Sequence, residues 1–225
     1  VMALTRLGLN QSINLASNTT GTLAVANGGT GLTSGTSGQF LKFTGSTTVA
    51  SAAVSGGIDV ADHFRLESST SAGTAGRIGS SSQAGGQWGK LTNMFSDTGS
   101  VTTGSDGGKF SFPKTGIYFI LVSLSGYNDT TDNDWSWSFE TTTNNFSSST
   151  EFGYIRSSVQ AASSGTPNNY LQSTGSLYID VTDVSNVKFM LNVGSVSSGN
   201  YIYGSSSAAD GKISSTVMIT RLADT

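Results

Sequence analysis

Cysteine is absent from this chain of 225 residues, and histidine occurs once, at His63. Disulfide stapling, thiolate-bound zinc, CxxC redox chemistry and cysteine nucleophiles are thereby excluded. A chain of this kind that must survive outside a cell depends on close packing or on oligomerisation. Proline occurs twice, so neither a collagen helix nor a Pro-rich linker fits, and the 29 glycines follow no G-X-Y period. Only 11% of residues are Asp, Glu, Lys or Arg, against about 25% in a typical soluble domain. The residues that fill the exposed faces of long helices are therefore scarce. A net charge of −3 and a pI near 4.9 give no basic field, so nucleic acid is a poor partner. No run of about 20 apolar residues is present, and membrane insertion is not expected. The opening VMALTRLGLNQ lacks the uninterrupted apolar stretch of a signal peptide.

What fills the chain instead is Ser (39), Thr (29) and Gly (29), together 97 of 225 residues. Their distribution divides the sequence by texture. Residues 1–55 space their apolar positions thinly: Leu4, Leu7, Leu9, Ile13, Leu15, Leu23, Val25, Phe40, Leu41, Phe43 and Val49. A segment so poor in large side chains cannot close a core alone. It reads either as a flexible arm or as an extended shaft whose apolar spots are buried when copies of the chain wrap around one another; recurrence of those spots favours the shaft. Residues 56–87 read as a Gly/Ser-rich connector. The spacing of Val60, Ala61 and Phe64 predicts one short helix there, Val60 to Glu67.

From Trp88 to residue 225 the pattern is that of strands. GIYFILVSLSGY (116–127) is apolar on both faces, with Tyr118, Ile120, Val122 and Leu124 on one and Ile117, Phe119 and Leu121 on the other. DWSWSFE (134–140) alternates, placing Trp135, Trp137 and Phe139 together. EFGYIRSSV, GSLYIDV, NVKFMLNV, YIY and KISSTVMITRL follow, with LTNMF, SVTT and KFSF ahead of them, separated by turn compositions such as TGSDGG and DVTDVSN. No helical pattern intervenes, which argues against βαβ architecture. The expected fold is all-β, an antiparallel jelly-roll sandwich over 88–225 preceded by a helix-poor N-terminal arm or shaft. A strand apolar on both faces needs a cover on its second face, and a sister subunit supplies one; a homo-oligomer is expected.

Enzyme chemistry finds no support. NGGTG (27–31) is not flanked by a strand and an amphipathic helix, and neither GxGxxG nor GxxxxGK[ST] occurs. Gly108-Lys109 and Gly211-Lys212 lead into Phe and Ile, not a hydroxyl. His63 lies in the connector, away from any rigid nucleophile, and reads as a partly exposed anchor or surface residue. Glu occurs only at 67, 140 and 151, which gives no distinctive acid/base pair in sequence. No catalytic residue, cofactor or resident metal is implied. The most function-like stretch is YNDTTDNDW (127–135): Asp129, Asp132 and Asp134 are hard oxygen ligands, yet the spacing lacks a full calcium loop. The same loop reads equally as a solvated connection, or as a sugar contact in which Tyr127 and Asn128 stack and hydrogen-bond. Tyr170, Tyr201 and Tyr203 sit in loops of similar composition.

Two stretches carry resemblances. GTLAVANGGTGLTSGTSGQFLKFTGSTTVA (21–50) resembles a pattern that recurs in bacteriophage tail-fibre and related virion-fibre proteins, on Gly21, Thr22, Leu23, Val25, Asn27, Gly28, Gly29, Thr30 and Gly31, then Gly38, Gln39, Leu41, Lys42 and Gly45. Ala24 stands where the family often has Pro, and ASAA (50–53) replaces its closing Trp. KFSFPKTGIYFILVSL (109–124) is similar to a stretch of the C1q and tumour-necrosis-factor type of trimeric jelly roll, on Phe112, Pro113, Gly116, Ile117, Tyr118 and Phe119. Together they imply a homotrimeric, non-enzymatic virion protein, assembled in the host cytoplasm and exposed on the particle. Residues 1–55 would attach to other virion proteins, and the knob would adhere to the bacterial surface, as on polysaccharide. The alternative is a purely structural head or neck fibre, decoration protein or tail adaptor.

Overall fold

The computed structural model describes residues 30, 32, 35–46, 48–53, 58–70, 73, 75–79, 87–91, 101–103, 108–128, 134–158, 169–194, 200–205 and 215–225. The chain divides into two compact units, Val1–Gly57 and Ile58–Thr225. In the first, β1 (Phe40–Phe43) and β2 (Val49–Ala52) pair antiparallel, Phe40 against Ala52 and Phe43 against Val49. Every residue of β1 is exposed, Phe40, Leu41 and Phe43 included. A lone two-stranded hairpin is marginal in water, and this one has no buried face to add.

The second unit carries β3 (Ala61–Leu66), β4 (Gly76–Arg77), β5 (Trp88–Lys90), β6 (Thr102–Thr103), β7 (Phe110–Ser111), β8 (Gly116–Asn128), β9 (Asp134–Thr142), β10 (Thr150–Ser158), β11 (Asn169–Val181), β12 (Lys188–Gly194), β13 (Asn200–Ile202) and β14 (Thr216–Ala223). They form two sheets with every described pairing antiparallel. The first runs β11-β8-β14-β3-β5, with β13 also on β8; the second runs β10-β9-β12-β7-β6, with β4 on β12. From β8 onward the chain crosses between sheets, β8 to the β9–β10 hairpin, back to β11, across to β12, and back to β13 and β14. This is the expected jelly-roll sandwich.

Alternation builds the core. Tyr118, Ile120, Val122 and Leu124 of β8 and Val217 and Ile219 of β14 face Trp135, Trp137 and Phe139 of β9 and Phe189, Leu191 and Val193 of β12, all buried. Phe110 stacks on Phe189 at 4.6 Å within the second sheet and meets Phe64 of the first edge-on at 5.2 Å. Trp137 is fully buried, and its Nε1 donates to Ser173 Oγ at 2.9 Å, which joins β9 to β11 across the sandwich. Gly175 makes room for that indole: a side-chain carbon there would stand 2.7 Å from Trp137 Cη2 and 2.2 Å from Ile155 Cδ1. Gly116, at φ 141°, starts β8 where a side-chain carbon would meet Ala223 O at 2.5 Å.

The helix expected over Val60–Glu67 does not form. Ala61–Leu66 is a strand, paired with β14 and β5, whose burial alternates along its length. The period-2 set Asp62, Phe64 and Leu66 wins over the i, i+4 pair Val60 and Phe64, because a carboxylate is tolerable in the core once it has partners. Lys90 Nζ pairs with Asp62 Oδ1, and the Val101 N–H donates to Asp62 Oδ2 at 2.6 Å. The stretch 56–87 is thus no mere connector, since β3 and β4 are hydrogen-bonded into the two sheets.

Candidate binding surfaces

The core-facing sides of both sheets are filled, so recognition falls to their outward faces. On the first sheet this face carries an apolar patch set among polar positions such as Ser123, Ser176 and Thr220. Leu121 of β8 pairs with Met218 of β14, which pairs with His63 of β3. Phe119 pairs with Tyr178 of β11, their rings 5.0 Å apart. Leu121 and Phe119 are half-buried, while Met218, Tyr178 and Ile117 are 42%, 66% and 38% exposed. His63 is half-buried, but both of its ring nitrogens are enclosed and lack a hydrogen-bond partner, and burial pushes its pKa below the usual imidazole value.

At one end of this face the register collects tyrosines that the sequence scatters. Tyr127 of β8 is the direct partner of Tyr170 on β11 and of Tyr201 on β13, so the three stand in one row across three strands. The next residue of like parity, Tyr203, is tied to β8 by its N–H, which donates to Ser125 O at 2.7 Å. Tyr170 is 73% exposed. Asn128 pairs with both Asn169 and Asn200, and Asp134 begins β9. Asp129 and Asp132 lie outside the described residues, and with them the suggested calcium loop. Tyr170 was expected in a loop and is a strand residue; Tyr201, read both within the strand YIY and in a loop, lies in β13. Among the described residues no three His, Cys, Asp or Glu side chains come close enough to hold a metal ion.

The outward face of the second sheet is polar and closely bonded. Glu140 of β9 and Glu151 of β10, which show no pairing in sequence, are direct cross-strand partners. Arg77 grips Glu140 in a bidentate pair, Nε to Oε2 at 2.8 Å and Nη2 to Oε1 at 2.5 Å, and Ser149 Oγ adds a third donor. The Arg77 hydrogen bonds hold the Glu140 carboxyl below the usual glutamate range against a burial that pushes the other way. Glu151 Oε1 accepts from Ser138 Oγ at 2.9 Å and from Asn192 Nδ2 at 2.6 Å.

The β9–β10 loop folds onto this face. Asn145 and Phe146 hold φ of 54° and 64°, a region that a bulky residue such as Phe rarely enters. Thr142 Oγ1 accepts the N–H groups of Asn144 and Phe146 and donates to Ser148 O, and the Asn145 N–H donates to Asn186 O. The Phe146 ring ends 5.5 Å from Arg77 Cζ and 5.8 Å from Lys109 Nζ. Two carboxylates and a fixed guanidinium form a ready hydrogen-bonding surface. No nucleophile with its base stands among them.

Comparison with known structures places the fold. The chain is similar to Eiger, a tumour necrosis factor from S. frugiperda, with a TM-score of 0.50 and 12% identity over 75% of this chain and 96% of that one. Murine APRIL follows, with a TM-score of 0.42 and 10% identity over 72% and 98%. No protein-family model and no curated protein matches the sequence. The fold is a tumour-necrosis-factor and C1q-like jelly roll. Among the described residues no helix is long and apolar enough to cross a membrane. Identity this low speaks to fold alone.

Proposed function

We propose that this chain is the subunit of a non-enzymatic bacteriophage virion fibre, a homotrimer whose jelly-roll knob adheres to the bacterial surface and whose residues 1–55 anchor it to other virion proteins. The observation that carries this reading is the outward face of the first sheet. Leu121, Phe119 and Met218 on the central strands β8 and β14, with Tyr178 on the neighbouring β11, form an apolar patch on a well-filled sandwich, where an ordinary antiparallel sheet turns polar residues to water. Fully burying one such apolar side chain is worth about 1.5–3 kcal/mol, and a closed ring of three copies buries the set three times over. The β1–β2 hairpin, which overlaps the stretch that resembles virion fibres and whose first strand is exposed throughout, would likewise gain from sister chains. The row of Tyr170, Tyr127 and Tyr201, with Tyr203 and the Asn128 to Asp134 loop, supplies adaptable contact chemistry for glycan, and three weak sites on one rigid trimer bind a repeating surface tightly.

The solution mass tests the shared premise. A trimer of three times 23.1 kDa is expected, and a monodisperse species of 23.1 kDa overturns it. Adhesion separates the two virion roles: the knob reading requires the trimer to bind host cells and their extracted glycans. A trimer that binds neither, but that disappears from particles when residues 1–55 are deleted, is a structural fibre.

A further inference from the structure

We infer that the outward face of the second sheet holds a saccharide site for a neutral hexopyranose, built on Tyr154 as the stacking platform with Glu151 and Asn192 as the hydroxyl-binding pair. In its ligand class this rests on the adhesion reading above; in its location it does not. Tyr154 lies in β10 within a bulge, where the register slips between Phe152 and Ile155 and Gly153 takes φ 63°. The bulge re-aims the tyrosine, which uninterrupted alternation would turn to the same side as Phe152, the partner of core-facing Phe139, and lays it toward β12. A side-chain carbon at Gly194, two strands away on β12, would come within 4.0 Å of Tyr154 Cε2 and 3.9 Å of its hydroxyl oxygen.

The ring therefore reaches across the middle strand toward Gly194 and its partner Ser136, where a glycine and a serine leave room beneath it. Ser136 is 1% exposed, and its hydroxyl is enclosed with no hydrogen-bond partner. Yet Tyr154 itself remains 67% exposed. An aromatic ring supported from below by small residues and open above is what the C–H face of a pyranose stacks upon.

Hydroxyl recognition stands one row away. Ser138, the next outward residue of β9, pairs with Asn192, which pairs with Arg77. Both donors to Glu151, from Ser138 and Asn192, fall on Oε1, so the carboxylate is fixed in place with acceptor capacity left on Oε2. Asn192 keeps its amide oxygen and second N–H for the ligand. The class of sugar follows from charge. At the hydroxyl-binding end the charge is Glu151, and Arg77 beside it is already held by Glu140, so an acidic group placed there meets repulsion, while Arg156 stands at the other end of the platform, opposite Ser136. In a trimer closed through the first sheet, this face points away from the sister chains and stays accessible.

The full chain is titrated with neutral disaccharides of glucose and of galactose, and with a glucuronic-acid disaccharide as acidic comparator, by saturation-transfer NMR and calorimetry. A neutral disaccharide is expected to bind, with Tyr154→Ala and Glu151→Ala each weakening it about tenfold and Tyr154→Phe staying within about threefold. Near-UV circular dichroism checks that each variant keeps its packing. Wild-type affinity in a folded Tyr154→Ala, tighter binding of the glucuronic-acid sugar, or no binding of any neutral disaccharide overturns the inference. Host-cell adhesion that persists in Tyr154→Ala and falls in Tyr170→Ala sinks this site while the fibre reading stands. Absence of adhesion in the wild type removes the receptor role, and the disaccharide titration still decides the site.

Discussion

The two sheets share one core and differ on the sides they turn away from it. On the first sheet Leu121, Met218, Phe119 and Tyr178 form an outward apolar patch, with His63, whose ring nitrogens are enclosed without a hydrogen-bond partner, paired to Met218. On the second, Ser138, Glu140 and Thr142 are buried on the outward side, each in described hydrogen bonds. The second face is completed within one chain: its charges have partners and its loop is pinned by Thr142. The first is less so, since Met218, Tyr178 and Ile117 keep much of their apolar surface uncovered by their own chain. A finished polar face suits small, hydrated ligands, and an unfinished apolar one suits another copy of the protein.

The strongest way to break the comparison is to remove what both faces stand on. Trp137→Ala empties the largest fully buried side chain and strands Ser173 Oγ, and it is expected to cost about 3–5 kcal/mol by urea denaturation followed by circular dichroism. Both faces fail together in that variant. A selective break comes next. Met218→Glu and Leu121→Glu place a charge in the proposed interface and are expected to convert trimer to monomer in sedimentation, with far-UV circular dichroism unchanged. Asn192→Asp, on the other face, leaves the mass where it was. Equal loss of assembly from both faces would erase the distinction drawn between them.

A smaller effect is expected from within the second face. Glu140→Gln removes the carboxylate that Arg77 and Ser149 share, at a cost of about 1–2 kcal/mol, moderated because Arg77 is partly solvated. The midpoint of denaturation should fall with no change in assembly.

Much of the sandwich is legible in the sequence because its strands obey simple alternation. DWSWSFE sends three aromatics one way, and NVKFMLNV sends Val187, Phe189, Leu191 and Val193 the same way; all are buried. Errors arise where polar residues face inward. Asp62 makes β3 look helical, since its partners Lys90 and Val101 N–H come from distant stretches. Ser173 hides the first half of β11 for the same reason: its hydroxyl is needed by Trp137, which no local pattern announces. The tyrosine residues of the row are visible in the sequence, but their alignment is a property of register. The Glu140 and Glu151 pair is less legible still. A hairpin loop with two left-handed residues fixes it, and the bulge at Gly153 then brings Tyr154 beside it. The glycine inside an alternating strand was the available signal for that bulge.

Acid separates the two faces by pH. His63 has a folded pKa lowered by burial, so the unfolded chain binds its proton first. Stability is therefore intact above the ordinary imidazole value of about 6.5 and falls as the pH drops through it, until the lowered folded value is passed. Glu140 has a folded pKa lowered chiefly by Arg77, so its contribution is present above the ordinary glutamate value of about 4.3 and is lost as the pH falls from there through the lowered value. Melting temperatures at fixed protein concentration should thus show a loss between pH 7.5 and 5.5 that His63→Gln suppresses. A further loss below pH 4.5 should be reduced by Glu140→Gln, with the remainder belonging to carboxylates such as Asp59 and Asp183 that are also held low. Because the first sheet's face is the one proposed to close the trimer, the earlier step should coincide with falling mass in sedimentation, and the later step should not. An earlier step that His63→Gln leaves in place would mean that the enclosed imidazole is not the group protonated, and the contrast between the faces would lose its pH dimension.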